Sequence, residues 1–136
     1  MIQQYSKVDP SKLLYSIVRL DEISNYRLDA SPDSEYLQLS ARSLKAGTTV
    51  PPHKHLPIER VTNITQEAWI VFRGKIEGTF YDLDDTVLET VTLTDGDCAI
   101  LFRGGHKLST LEENTIFYEL KTGPYYGKVA DKEPIK

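Results

Sequence analysis

Two of the three histidines in this 136-residue chain stand two residues apart, at His53 and His55. On an extended backbone, residues i and i+2 project to the same side, so both imidazoles can point to one place. Eleven residues separate His55 from Glu67, which opens an apolar stretch. The third histidine, His106, directly follows Gly104-Gly105, where the backbone can turn sharply. We therefore expect these four side chains to meet.

Three neutral imidazoles and one carboxylate form a ligand set for Fe(II), Mn(II), Ni(II), Co(II) or Zn(II), and suit Ca(II) or Mg(II) poorly. The pattern predicts one divalent transition metal ion and leaves its identity open. In the alternative interpretation, His53 and His55 are surface loop residues after Pro51-Pro52, Glu67 is a solvated strand end, and His106 lies in a glycine turn. Short H-x-H patterns also occur by chance.

The elements that would carry these residues are strands. From about residue 35 onward, apolar residues recur with period two in short runs that turn residues separate, which is typical of a sandwich or barrel. Only one stretch, DPSKLLYSIV (9–18), has helical spacing, and it predicts a possible short N-terminal helix. The strand segments are EYLQLSAR (35–42), EAWIVFRG (67–74), KIEGTFYDLDDTVLETVTL (75–93), CAILF (98–102) and TIFYELK (115–121). Segment 75–93 predicts two strands joined by an acidic turn at 83–85, and TDGD (94–97) predicts a tight turn.

Length and composition indicate one globular domain over residues 1–136. We expect its barrel core at about 35–122, an N-terminal extension at 1–34 and a C-terminal tail at 123–136. With 40% hydrophobic and 26% charged residues, the composition is that of an ordinary soluble protein. The sequence has no apolar run of roughly 20 residues, no secretory signal and a lone cysteine, Cys98, so we expect a cytoplasmic protein without membrane contact. A net charge of −4 without a basic cluster makes nucleic acid an unlikely partner.

The histidine-containing region resembles the first conserved motif of the cupin superfamily, G(x)5HxH(x)3-4E(x)6G. Five residues lie between Gly47 and His53-Lys54-His55, and six lie between Glu67 and Gly74. The loop between His55 and Glu67 is longer than in the family motif. Glu59, three residues after His55, is therefore the rival carboxylate.

A second region resembles the other cupin motif, G(x)5PxG(x)2H(x)3N. Gly96 is followed after five residues by Phe102-Arg103-Gly104-Gly105-His106. Phe102 replaces the proline, one residue is missing before His106, and Thr110 stands in place of the asparagine. The two motifs together span residues 47–110.

The resemblance implies an all-β, cupin-type jelly-roll barrel with His53, His55, Glu67 and His106 around a metal in its mouth, and commonly a homodimer. It also implies that a small-molecule ligand binds in the mouth. We expect a metal-dependent enzyme of the oxygenase or isomerase type acting on a small polar or oxygen-rich metabolite, with Glu67 as a possible general base. The alternatives are a non-catalytic binding module with a structural Zn site, and a protein resembling the carbohydrate epimerase or ketoisomerase cupins.

Polar strand faces are candidates for the lining of the ligand cavity. Gln38 and Arg42 share one predicted strand, and Glu119 and Lys121 share another. Their side chains could bind an anionic or hydroxylated ligand. In the alternative interpretation, these faces meet water.

Overall fold

The computed structural model describes residues 1–24 and 26–135, and this part of the chain is nearly all β. Its helices are a 3₁₀ turn at Leu20–Glu22 and the short α1 at Lys128–Asp131. No helix in the described part is long and apolar enough to cross a membrane. The strands are β1 (Ile2–Tyr5), β2 (Leu13–Val18), β3 (Leu28–Asp29), β4 (Ser40–Ala41), β5 (Glu67–Arg73), β6 (Ile76–Tyr81), β7 (Val87–Leu93), β8 (Cys98–Leu101), β9 (His106–Thr110) and β10 (Ile116–Lys121).

The strands form three antiparallel sheets. The largest has the order β1-β2-β8-β5-β10, the second β7-β6-β9, and β3 pairs only with β4. The two larger sheets contribute to one apolar core, in which Tyr15 and Trp69 of the first meet Phe80 of the second. The prediction of an all-β fold is confirmed. Across the described residues the sheets do not close into a barrel, and the jelly roll stays a prediction.

The central strands of the five-stranded sheet, β2, β8 and the first half of β5, are covered on both faces. A second core cluster, which includes Ala68, Ile100 and Phe102, packs against Leu37 and Leu39 from the segment before β4. Strands that are buried on both faces need apolar residues at consecutive positions rather than alternating ones. This explains the uninterrupted apolar runs in β5 and β8.

The predicted N-terminal helix is wrong. Leu13–Val18 forms β2, and all six of its residues are buried. A short apolar run fits a doubly buried strand as well as a helix face, so periodicity alone could not separate the two structures. β2 pairs with both β1 and β8, and the segment expected as an N-terminal extension therefore contributes to the main sheet.

The other strand predictions hold from residue 67 onward, including the acidic turn between β6 and β7 and the tight turn before β8. The predicted strand at 35–42 is shorter, because only Ser40–Ala41 pairs, with β3. Residues 42–66 have no regular structure, and nearly all of them are exposed.

Candidate functional site

Glu67 is a buried carboxylate at the start of β5, with its side chain 5% exposed. Its neighbour on the same strand face, Trp69, donates a 2.6 Å hydrogen bond from Nε1 to Glu67 Oε1. Lys121 lies directly opposite Glu67 in the antiparallel register of β5 and β10, and its Nζ is 3.2 Å from Glu67 Oε2. The carboxylate is therefore held on one oxygen by an indole and on the other by an ammonium group.

Lys121 is bound by two carboxylates. Its Nζ is also 2.8 Å from Oε1 of Glu119, which is two residues earlier on β10. Burial disfavours the charged ammonium, but the hydrogen bonds to Glu119 and Glu67 outweigh that effect and raise the pKa of Lys121. The same hydrogen bond lowers the pKa of Glu119. Lys121 therefore bridges the carboxylates of Glu67 and Glu119.

His106 reaches this cluster from the other sheet. It is the first residue of β9, and its Nε2 lies 3.7 Å from Glu67 Oε2. Its ring packs edge-on against Trp69, with ring centres 5.3 Å apart. Burial lowers the pKa of His106, and the positive charge of Lys121 acts in the same direction. The imidazole is therefore neutral at pH 7 and can accept a proton or bind a metal.

The turn before β9 sets the position of His106. Gly104 has φ +80°, and a Cβ there would lie 2.6 Å from the carbonyl oxygen of Tyr81. Only glycine allows the backbone of residue 104 to come this close to Tyr81. A 2.9 Å hydrogen bond from the Tyr81 N–H to the Gly105 carbonyl holds the two segments together. The glycine pair seen in the sequence thus brings the end of β6 and the start of β9 together.

Glu67 and His106 both line a cavity of about 530 Å³. A volume of this size admits a small metabolite. The walls carry charges of both signs, and they come from four regions of the chain, 64–67, 82–85, 103–106 and 131–135. The remaining lining residues are Ile64, Thr65, Asp82, Leu83, Asp85, Arg103, Gly104, Gly105, Asp131, Lys132, Glu133, Pro134 and Ile135.

His53 and His55 lie apart from this pair. Both are exposed in the irregular segment 42–66, where their ring centres are 5.4 Å apart, and neither lines the cavity. Within residues 1–24 and 26–135, no group of three or more His, Cys, Asp and Glu side chains is arranged to hold a metal ion. The structure therefore brings together two of the four expected ligands, and a metal would need further donors.

Of the other candidate residues, some lie beside Glu67 and the rest are exposed and apart from it. Lys121 and Glu119 belong to the Glu67 cluster, although neither is among the residues that line the cavity. Gln38 is exposed, and its side-chain amide donates to two backbone carbonyls of its own segment. Arg42 and the rival carboxylate Glu59 are exposed as well and lie outside the cavity lining.

Sequence reasoning missed Arg103 and Asp82, which both line the cavity. Arg103 makes two hydrogen bonds from Nη2 to Glu35, at 2.9 and 3.0 Å. Asp82 is buried and accepts hydrogen bonds from the Ser6 hydroxyl and, at 2.7 Å, from the Lys7 N–H. The only signal for Arg103 was its place in the motif beside Gly104. No local pattern marked Asp82.

Comparison with known proteins found no match to the chain among family models, curated proteins or solved structures.

Proposed function

We propose that the protein is a cupin-type jelly roll and that the cavity over Glu67 and His106 binds and transforms a small polar, oxygen-rich metabolite. One observation carries the proposal. Glu67 and His106 come from strands in different sheets, yet their side chains approach to 3.7 Å on the wall of a 530 Å³ cavity. A neutral imidazole, a buried carboxylate and an ammonium group in one cluster are suited to proton transfer.

A divalent transition metal (Fe, Mn, Ni or Zn) belongs to this proposal. Glu67 and His106 fit as two of its ligands, and His53 and His55 would complete the set if segment 42–66 folded over the cavity. When bound, the metal would polarise a substrate oxygen as a Lewis acid. The segment has few contacts to hold it elsewhere, because it is exposed and without regular structure.

In this proposal, the other residues around the site orient Glu67, stabilise charge on the substrate and exclude water. Trp69 orients the Glu67 carboxylate through Oε1, while Oε2 contacts Lys121 and lies 3.7 Å from His106 Nε2. For an isomerase, Glu67 would remove a proton from the carbon beside a carbonyl, and the ammonium of Lys132, which lines the cavity, would stabilise the negative charge that develops on oxygen. The buried indole and the core behind it exclude water from that side of the site.

A specific observation favours a second candidate, a metal-free epimerase or ketoisomerase-like protein. The Lys121 ammonium lies 3.2 Å from Glu67 Oε2, so it already neutralises the carboxylate that would otherwise bind a metal. In this candidate His106 is the base. The third candidate, a binding module with a structural Zn ion, needs four protein donors around the metal.

Elemental analysis by mass spectrometry on untagged protein separates these candidates. Near-stoichiometric Fe, Mn or Ni supports the metal-dependent enzyme, and Zn moves the choice to the binding module. Protein that remains metal-free after growth and dialysis with each ion supports the second candidate. H106A should lose most of any bound metal. E67Q should do the same, whereas E59Q, the matched control, should retain it; the opposite result would place the carboxylate ligand at Glu59.

We further propose a homodimer that forms at β10, which is an edge strand of the five-stranded sheet. The outer face beside this edge exposes four large apolar side chains: Phe72, Ile116, Tyr118 and Leu120. Unpaired strand edges and contiguous apolar patches are typical sites of association. Light scattering should give a dimer for the wild type and a monomer for Tyr118→Lys. Tyr125→Lys, at a tyrosine of the C-terminal segment that is 60% exposed against 59% for Tyr118, should remain dimeric; a monomeric wild type contradicts the proposal.

A further inference from the structure

Residues 128–135, which we call the C-terminal strap, form part of the wall of the cavity. Five consecutive strap residues, 131–135, line it together with Glu67 and His106. With the strap in place, the side chain of Glu67 is 5% exposed and that of His106 is 28% exposed. The sequence predicted only a surface tail here.

Contacts at Asp131 and Ile135 hold the strap against the rest of the protein. The Thr65 hydroxyl donates a 2.5 Å hydrogen bond to Asp131 Oδ1. At the far end, Ile135 packs on Gly105, so closely that a Cβ at residue 105 would overlap the Ile135 Cδ1. The strap is thereby fastened at the start of β5 on one side and at the turn before His106 on the other.

These contacts bury little apolar surface. The helix α1 has no buried residue, and Val129 within it is 99% exposed. The segment that leads to it exposes Tyr125 and Tyr126 as well. Elements with few buried apolar contacts open at low free-energy cost compared with global unfolding. The strap can therefore detach while both sheets remain folded.

We propose that the C-terminal strap is a lid on the candidate site, which opens to admit a small molecule and closes over it. This inference rests on the proposed function in one respect, because it takes the cavity as the place where the ligand binds. A closed lid excludes water from Glu67 and His106 and so strengthens their interactions with a bound substrate. Lys132 and Glu133 on the strap then face the cavity as binding residues that are present only in the closed state.

The reactivity of the three histidines tests the lid directly. Diethyl pyrocarbonate acylates neutral imidazoles, and mass spectrometry reports the rate at each position. His53 and His55 are exposed and outside the cavity, so they serve as references within the same molecule. The protein is first dialysed against a chelator, because a bound metal would itself protect His106. In the full chain, His106 should react more slowly than both references.

Ile135→Asp should release the strap and raise the His106 rate by about tenfold, since an apolar contact is replaced by a charge. The rates at His53 and His55 should stay unchanged. The matched control is Val129→Asp, which adds the same charge to the strap at an exposed position and should leave all three rates as in the wild type. A chain ended after Gly127 should react at His106 at least as fast as Ile135→Asp.

Circular dichroism and the fluorescence of the buried Trp69 show whether each variant keeps the two sheets together. Equal His106 rates in the wild type, Ile135→Asp and Val129→Asp overturn the lid. Because the measurement uses metal-free protein and no substrate, it can fail while metal analysis supports the proposed function. The acylation rates can also support the lid when the metal analysis does not support the proposed function.

Discussion

Lys121 stands directly opposite Glu67 across β5 and β10, and its ammonium contacts both Glu67 and Glu119. Antiparallel register places the two side chains on the same sheet face, where they are close enough to pair. The pairing places a cation beside the Glu67 carboxylate in a nearly buried position. Because the pair forms only when β5 and β10 lie side by side, pairing of these strands also sets the position of the Glu67 side chain in the candidate site.

Lys121→Met should lower the free energy of unfolding by about 1–2 kcal/mol, because it leaves Glu67 buried without its cation. Urea denaturation followed by circular dichroism measures the change. Lys75→Met is the matched control, since Lys75 pairs with Glu112 where both side chains are about half exposed, at 48% and 45%. Solvent screens that pair, so its loss should change little. Equal effects of the two substitutions would show that the Glu67 pair contributes no more than a surface ion pair.

Arg103→Lys should destabilise the protein by about 1–3 kcal/mol, because one lysine ammonium cannot replace two guanidinium nitrogens, of which Nη2 contacts Glu35 and Nη1 contacts the Leu13 carbonyl. Arg103 also donates to the Leu13 carbonyl, at 2.5 Å, and thus ties β2 to the segment before β4. The measurement is again urea unfolding. Arg27→Lys provides the control, because the Arg27–Asp29 pair is about half exposed on both sides, at 48% and 52%. If Arg103→Lys is as stable as the wild type, the contacts of Arg103 with Glu35 and the Leu13 carbonyl do not contribute to the free energy of unfolding.

Asp97→Asn should lose stability in a pH-dependent way. Burial of Asp97 disfavours its charge, but hydrogen bonds from the Thr94 N–H and from Arg19 outweigh this and lower its pKa. A carboxyl whose pKa is lowered by folding adds stability above its unfolded pKa, about 3.9, and that stability disappears as pH falls through the folded pKa. The wild type should therefore exceed Asp97→Asn in stability at pH 7, and the gap should narrow below about pH 4. Unfolding curves from pH 7 to acid test this, and a constant gap would contradict it.

Gly96→Ala should cost more than Gly47→Ala, although both glycines have φ +81°. A Cβ at residue 96 would lie 2.6 Å from Cδ2 of Leu20, whereas nothing lies within 4 Å of a Cβ at residue 47. We expect a loss of about 1–3 kcal/mol at residue 96, and about 1 kcal/mol or less at residue 47, where only backbone strain acts. Thermal and urea unfolding measure both. Equal losses would mean that the turn before β8 yields to the added methyl group.

Much of the candidate site followed from local sequence rules. Residues i and i+2 of a strand share a face, so the strand EAWIVF places Glu67 and Trp69 side by side, and a hydrogen bond joins them in the structure. The glycine pair before His106 predicted a sharp turn, and that turn is present. Local rules could not place Lys121 beside Glu67, because their register depends on which strands pair. They also misassigned β2, since an apolar run buried on two faces carries no clear period.

By itself, the sequence determined that the chain is β-rich from residue 67 onward, where its turns fall, and which side chains share a strand face. Period two and turn chemistry are properties of neighbouring residues, so they can be read without the fold. Only the tertiary structure decided that β2 lies inside the main sheet and that Glu67, Lys121 and His106 meet. It also decided that the strap lies over them while His53 and His55 remain apart. These contacts join distant parts of the chain, and sheet order and packing, rather than local spacing, create them.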